Sequence, residues 1–302
     1  MEAPDKIPMA LAHHCPPFDP ENELIHVDCA SHIYPDGSVG IHEMCFSVRK
    51  HEIVALCGPN GSGKSTLIEH LNGLLRPTQG RVWVNGKSIS EGEQANLWKE
   101  VGLVFQQSDD QLFAPTVLDD VMFGPLNMGM PVRDASTRAL QALETVGAGD
   151  LAARLPNYLS GGQKRLISIA GILAMQPLVI AMDEPTSDLD PVHTGMVESI
   201  ILDLRDRQGI SVVIATHDLD LAARIADRVC LVQNGAVYAQ GTPQEIFYNP
   251  KLVQDAGLSL PSTVGTYLDF CTAAKTAPID RPVRREELTE ALLKIRARNP
   301  AE

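Results

Sequence analysis

The sequence lacks a surplus of basic residues and any Cys-x-x-Cys pair. Its formal net charge is −13 over 302 residues, whereas general nucleic-acid binding usually needs a basic face. Nucleic acid is therefore not an expected partner. The six cysteines are scattered without a regular framework, which argues against a disulfide scaffold and predicts reduced thiols.

The sequence also lacks an apolar run long enough to span a membrane. The uncharged stretch 166–182 is seventeen residues long and runs directly into Asp183 and Glu184. It is shorter than a usual transmembrane helix, and a buried helix followed by a buried strand explains it better. The N-terminus has no basic start followed by an apolar core, so we expect no signal peptide and only a peripheral role at a membrane.

Apolar residues make up 44% of the chain, which is enough for a sizeable core. Residues 53–57, 178–182 and 211–216 are apolar runs of strand length, typical of parallel strands buried on both faces. Their alternation with helical patterns predicts an α/β core with a parallel sheet. From about 107 to 176 the pattern is mostly helical, which predicts a helical subdomain inserted into that core.

The flanking regions differ from this core. Residues 1–22 carry five prolines and few large apolar side chains, so we expect a flexible N-terminal tail. Short strand patterns near the start of the main domain, 23–240, predict an N-terminal β subdomain. Residues 241–302 form a small C-terminal accessory domain that ends in an amphipathic helix. That helix either assists the pairing of two chains or packs on its own core.

A complete phosphate-binding loop follows the first buried strand. Residues 58–65 match G-x-x-x-x-G-K-S between a strand and a helix. Glycines let successive backbone N–H groups face phosphate oxygens, and the helix N-terminus adds positive charge. We expect Lys64 to reach the terminal phosphates in catalysis and Ser65 to ligate Mg²⁺. The expected ATP-binding residues of this segment are Gly58, Pro59, Asn60, Gly61, Ser62, Gly63, Lys64, Ser65 and Thr66.

Two carboxylates and a histidine follow later strands. Residues 178–182 deliver Asp183 and Glu184 to the end of an apolar strand, the usual metal-side element of P-loop ATPases. We expect Asp183 to hold Mg²⁺ and Glu184 to polarise the attacking water. His217 comes directly after the strand 211–216, and a structural role is its alternative.

Another motif lies at the start of a predicted helix. Its residues can present backbone N–H groups to an anion, and the same end can equally be an N-cap. Nothing else in the subunit needs this second anion site, which implies a second subunit. The motif is Leu159-Ser160-Gly161-Gly162-Gln163.

Taken in order, these motifs resemble the ABC ATPases over residues 23–250. The resemblance implies a P-loop NTPase (RecA-like) core, with Ser160, Gly161, Gly162 and Gln163 closing over ATP held by another subunit. It implies that His217 contacts the γ-phosphate and the catalytic glutamate. It also implies that Gln106 contacts Mg²⁺ and links the subdomains, and that Tyr34 stacks on adenine. Residues 188–190 match the loop that crosses the dimer interface.

Residues 101–113 and 119–125 point to one subgroup of the ABC ATPases. They are similar to the cobalt- and nickel-type ATPase subunits of energy-coupling factor importers. That family implies an ATPase on the cytoplasmic face of the cell membrane, bound to an integral coupling subunit and a substrate-binding membrane subunit. Phe105, Leu112 and Phe113 then either line a groove for the coupling subunit or belong to the core of the helical subdomain.

Several alternatives stay open at this stage. An importer for a vitamin or another organic solute would share every nucleotide-handling residue. A soluble ABC ATPase of DNA repair or translation usually has two cassettes or a long inserted arm, and this chain has neither. The second ATPase subunit is either another copy or a homologue. The histidine- and cysteine-containing segments 13–15 and 26–32 fit no standard zinc spacing.

Overall fold

A four-stranded and a six-stranded sheet organise the chain, which a computed structural model describes at residues 17–89 and 94–298. The smaller sheet is antiparallel, with strand order β2-β1-β4-β5. Its strands are β1 (Glu23–Ile33), β2 (Val39–Arg49), β4 (Gln79–Val84) and β5 (Lys87–Ser88).

The six-stranded sheet has the order β10-β9-β3-β8-β7-β6, and every neighbouring pair except β10–β9 is parallel. Its strands are β3 (Ile53–Cys57), β6 (Val101–Val104), β7 (Val179–Asp183), β8 (Ser211–Thr216), β9 (Arg228–Gln233) and β10 (Ala236–Gly241). The predicted α/β class with a parallel sheet is confirmed. Every residue of β3 and β8 is buried, as their continuous apolar composition requires.

The helices fall into three groups along the chain. The first, α1 (Lys64–Asn72), follows β3, and α2 (Val117–Asn127), α3 (Val132–Thr145) and α4 (Gly161–Leu173) lie between β6 and β7. Thr116 caps α2 by accepting a hydrogen bond from the Asp119 backbone N–H. The later helices are α5 (Pro191–Asp206), α6 (Leu219–Ile225), α7 (Pro243–Phe247), α8 (Pro250–Asp255), α9 (Ser262–Ala273) and α10 (Arg285–Arg298).

The C-terminal helices share their core with the main sheet. Phe247, Val253 and Val264, from α7, α8 and α9, belong to one apolar cluster with residues of β9 and α6. Ala291 and Ile295 of α10 in turn pack on α9. Of the two alternatives for the amphipathic helix, this favours packing within its own chain. The domain boundaries themselves stay a prediction.

The cysteines depart from the sequence prediction at one position. Cys57, Cys230 and Cys271 are buried free thiols, and burial raises the pKa of Cys230 to about 11. Cys45, in contrast, is disulfide-bonded, so the expectation of reduced thiols throughout is wrong. Spacing could not reveal this, because disulfide formation depends on which side chains the fold brings together.

A buried ion pair joins the two sheets. Arg228, at the start of β9, donates from Nη2 to Glu52 Oε1 at 2.6 Å and to the Ser47 carbonyl at 2.7 Å. Its Nη1 donates to Gln240 Oε1 at 2.8 Å, and both charged side chains are only 9% exposed. The guanidinium thus ties β2, β9, β10 and the turn before β3 together.

We predict that Glu52→Ala lowers the free energy of unfolding by about 3–5 kcal/mol, because it leaves a buried guanidinium without its carboxylate. Denaturant unfolding followed by circular dichroism measures this loss. The control is Arg207→Ala, whose side chain is 78% exposed and pairs with Asp203 at 3.3 Å. That change should shift stability by less than about 1 kcal/mol. Equal shifts for the two variants would contradict the assignment.

Candidate nucleotide site

The predicted phosphate-binding loop lies between β3 and α1. Gly61 and Gly63 have φ values of 77° and 105°, a backbone region that disfavours side chains. At Gly63 a Cβ atom would also lie 2.6 Å from the Gly40 carbonyl oxygen. Lys64, the first residue of α1, folds back so that Nζ donates to the carbonyls of Gly58 at 2.7 Å and Pro59 at 3.1 Å.

A pocket of about 290 Å³ opens beside this loop and collects most of the predicted site residues. It brings together elements that are far apart in the sequence, from β1 to the end of β8. The loop residues Gly58, Pro59 and Ser62 support the pocket without lining it. Its lining residues are Tyr34, Val39, Gly40, Asn60, Gly61, Gly63, Lys64, Ser65, Thr66, Gln106, Asp183, Glu184 and His217.

The pocket holds opposite charges out of bulk water. Burial raises the pKa of Asp183, and a hydrogen bond from Ser65 opposes that shift. Burial likewise lowers the pKa of Lys64, against the attraction of Glu184 and Asp183. A divalent cation beside Asp183 and an anion beside Lys64 would each offset the free-energy cost of keeping these side chains charged away from water. The hydroxyl, amide and carboxylate oxygens of Ser65, Gln106 and Asp183 are hard donors that fit Mg²⁺.

Glu184 is fixed where β7 and β8 end. Its Oε2 accepts a hydrogen bond from Thr216 Oγ1 at 3.0 Å, and its Oε1 accepts one from the His217 backbone N–H at 3.1 Å. His217 Nδ1 lies 2.7 Å from the same Oε1. Glu184 has φ of 45°, which is unusual for a residue with a side chain, and its N–H donates to the Ala215 carbonyl. The three contacts hold the carboxylate in one orientation, and the surrounding structure keeps the strained backbone of Glu184 in place.

Tyr34 stands at the rim of the pocket. Its hydroxyl lies 2.9 Å from Thr66 Oγ1, and its ring meets the His32 ring edge-on with centroids 4.7 Å apart. The Tyr34 side chain is therefore fixed beside the phosphate-binding loop by its hydroxyl contact with Thr66 and its ring contact with His32. Its contact with the adenine ring stays a prediction.

Arg165 is a site-associated residue that the sequence prediction missed. It lies on α4 and is buried, and it donates to the Phe105 carbonyl at 2.5 Å and to the Gln106 carbonyl. The segment that carries Gln106 into the pocket is thus fastened to the helix that follows Leu159–Gln163. A charged residue on the apolar face of α4 was the available signal, because such a residue needs a specific partner.

The Leu159–Gln163 motif lies apart from the pocket. Ser160 caps α4 by accepting from the Gln163 N–H at 3.3 Å, and Gln163 Oε1 accepts from the Ser160 N–H at 3.1 Å. The capping alternative is therefore confirmed. Within the motif only Ser160 and Gly161 are exposed, whereas Gly162 is buried. None of the described residues that line the pocket comes from this motif.

A second, more apolar groove of about 590 Å³ lies on the helical side. Phe113 is 66% exposed and Phe123 is 49% exposed, and their rings meet edge-on at 4.8 Å. Phe105 and Leu112 line the groove while also packing against the cores below it. Within the described chain, two buried atoms in this groove, Asp120 Oδ2 and Ser168 Oγ, have no hydrogen-bond partner. Phe105 and Leu112 therefore line the groove and also pack against the core, so the two alternatives predicted for them do not exclude each other.

The histidines of the segment 26–32 make contacts within the chain. His26 Nδ1 lies 2.9 Å from Glu23 Oε2, and His32 Nδ1 lies 2.8 Å from the Arg76 carbonyl. Residues 13–15 lie outside the described residues. Elsewhere in the described chain, no three His, Cys, Asp or Glu side chains are grouped as a metal site. No helix in residues 17–89 and 94–298 is long and apolar enough to cross a membrane.

Comparison with known proteins agrees with this geometry. The ABC transporter family model matches residues 41–187. The energy-coupling factor transporter ATP-binding protein EcfA of Methanocaldococcus jannaschii is 47% identical over 249 residues, covering 82% of this chain and 88% of the relative. The solved structure of cbiO1 from Clostridium perfringens, part of the ABC transporter complex cbiONQ, is 34% identical with a TM-score of 0.70, covering 78% of this chain and 95% of that one.

A dimeric ATP-binding cassette in a post-hydrolysis state, bound to ADP and Pi, is 27% identical with a TM-score of 0.66. The match covers 72% of this chain and 98% of that one. The shared fold, the complete phosphate-binding loop and the high identity to EcfA proteins lead to one conclusion. The chain belongs to the ABC ATPases, as an ATP-binding protein of the energy-coupling factor transporter family.

Proposed function

We propose that two ATPase subunits, each with this arrangement, sandwich two ATP molecules between them. The observation that carries this proposal is a division within the chain. Lys64, Glu184 and His217 share one pocket, whereas no residue of the Leu159–Gln163 motif lines it. Each motif then serves the nucleotide of the opposing subunit. The partner is a second copy or a homologue, and the complete set of residues here suits a homodimer.

The pocket residues divide the work of phosphate binding. Lys64 exchanges its two loop carbonyls for the terminal phosphates, and the backbone N–H groups of residues 60–61 and 63–66 bind the other phosphate oxygens. Ser65, Asp183 and Gln106 hold Mg²⁺, which neutralises charge on the phosphates when bound. Tyr34 contacts the adenine ring.

Glu184 acts as the general base in this proposal. Its carboxylate polarises the attacking water, and its hydrogen bonds from Thr216 and His217 keep it aimed at the phosphate end of the pocket. His217 joins the carboxylate to the γ-phosphate through its remaining ring nitrogen. Hydrolysis then opens the sandwich, because ATP binds the closed state better than its products do.

We predict that Glu184→Gln reduces ATP turnover by at least about 100-fold while ATP binding persists, because the amide cannot take a proton. Two ATP-bound subunits of this variant should accumulate as a closed dimer, which size-exclusion chromatography with ATP and Mg²⁺ detects. The control is Glu144→Gln, an exposed carboxylate on α3, which should keep normal turnover. Substantial steady-state hydrolysis by Glu184→Gln would remove Glu184 from the catalytic role.

We further predict that Ser160→Arg cripples hydrolysis but leaves each subunit's own ATP affinity nearly unchanged. The bulky side chain blocks the opposing nucleotide, whereas Ser160 does not line its own pocket. Turnover and fluorescent-nucleotide binding by the dilute subunit measure the two effects separately.

The matched control for this substitution is Thr242→Arg. It removes an equivalent capping box from α7, at an exposed position outside the pocket. The stability loss from the cap, about 1 kcal/mol, should then be similar in both variants. Loss of ATP binding by dilute Ser160→Arg alone would refute the division of labour.

The apolar groove is the proposed contact with a membrane subunit. It exposes the aromatic side chains of Phe113 and Phe123. Such a groove suits the apolar face of a helix. Through it the chain would be held at the cytoplasmic face of the membrane, as a peripheral subunit beside coupling and substrate-binding membrane subunits.

The proposed cargo is a transition-metal ion, cobalt or nickel. The support is the similarity of residues 101–113 and 119–125 to the ATPase subunits of importers for those metals. A membrane subunit, rather than this chain, would select the ion. Import of a vitamin or another organic solute is the alternative outcome of the test.

We predict that vesicles containing the complete transporter accumulate labelled Co²⁺ or Ni²⁺ when ATP is present. Phe113→Asp should abolish this uptake and reduce co-purification of the membrane subunits by at least about tenfold, because a charge replaces an aromatic anchor. Filter assays with labelled ions, and with labelled vitamins in parallel, measure the transport.

The matched control is Val132→Asp, an exposed apolar position on α3 outside the groove, which should transport normally. Uptake of a vitamin without uptake of metal ions would show that the cargo is the vitamin and not a metal ion. It would leave the proposed ATPase mechanism unchanged. Undiminished assembly and transport by Phe113→Asp would rule out the groove as the docking site.

A further inference from the structure

His193 links the loop after Glu184 to its own helix. It lies in the first turn of α5, whose N-cap is Asp190. Asp190 Oδ1 accepts from the backbone N–H groups of Val192 at 2.9 Å and His193 at 3.1 Å, and its Oδ2 lies 2.5 Å from His193 Nδ1. The imidazole ring is therefore anchored to the end of the loop 185–190.

The same ring faces the Leu159–Gln163 motif. A Cβ atom built on Gly162 would lie 2.3 Å from His193 Cγ and 2.4 Å from Cδ2, so no side chain fits between them. At Gly161, by contrast, a built Cβ has no described atom within 4 Å. The two glycines thus have different requirements. Gly161 borders open space, whereas Gly162 is closed against His193 of the same chain.

We propose that His193 is a positioning residue that makes the Leu159–Gln163 motif and the loop 185–190 move as one rigid unit. The inference rests on the proposed two-subunit sandwich, in which both elements meet the opposing subunit together. His193 does not line its own nucleotide pocket. It acts by fixing the distance between two elements, and a displacement of about 1 Å at a reacting centre can reduce the rate up to about 100-fold.

The test compares His193→Ala with His193→Asn in the full-length chain. The alanine removes both contacts, whereas the asparagine amide can still donate to Asp190. We expect His193→Ala to lower kcat by roughly tenfold without changing KM or the ATP affinity of the dilute subunit. His193→Asn should restore at least half of kcat. The control is His51→Asn, an exposed histidine with φ of 58°, a conformation that asparagine tolerates.

Amide hydrogen exchange in the nucleotide-free subunit gives an independent readout. The N–H groups of Gln163 and Lys164 both bond to Ser160, so loosening of this turn should speed their exchange severalfold in His193→Ala but not in His193→Asn. Equal melting temperatures of the two variants establish that both fold.

The outcomes separate the two levels of the proposal. If either kcat or exchange in His193→Ala keeps its wild-type value while Ser160→Arg and Glu184→Gln are inactive, the positioning role is overturned and the two-subunit sandwich stands. If Ser160→Arg hydrolyses ATP normally, the sandwich itself fails. Failure of His193→Asn to restore either readout would also overturn the role as proposed, because the retained bond to Asp190 would then not position the two elements.

Discussion

Parallel pairing among β3, β7 and β8 brings the ends of three strands to one edge of the sheet. The phosphate-binding loop follows β3, Asp183 ends β7 with Glu184 next to it, and His217 follows β8. Because all three strands run the same way, residues more than 150 positions apart in the sequence meet in one pocket. The hydrogen bonds of Glu184 to Thr216 and His217 join two of these strand ends directly.

Buried charge serves opposite purposes at the two edges of this sheet. Where β9 begins, Arg228 and Glu52 satisfy each other and hold the two sheets together. In the nucleotide pocket, Lys64 donates to two loop carbonyls and to no other group of the described residues, and burial raises the pKa of Asp183. A charge that is desolvated without a full set of partners is available for a ligand. The same physics therefore yields a structural link in one place and a binding site in the other.

Polar contacts also connect the pocket with surfaces that lie outside it. Arg165 joins the segment carrying Gln106 to α4, and α4 begins at the Leu159–Gln163 motif. That segment continues into the groove lined by Phe105 and Phe113. In a transporter ATPase these links would let a change at the phosphates reach both the second subunit and the membrane partner.

The amino-acid sequence by itself determined the α/β class, the phosphate-binding loop and the carboxylates at the end of β7, because each is a local pattern of backbone propensity and residue type. It also offered an N-cap as one alternative for the Leu159–Gln163 motif. Tertiary structure decided the disulfide at Cys45, the left-handed conformation of Glu184 and the partners of Arg165. It likewise decided that Gly161 borders open space while Gly162 meets His193. Those features depend on contacts between distant segments, and no local pattern encodes which side chains a fold will bring within reach of one another.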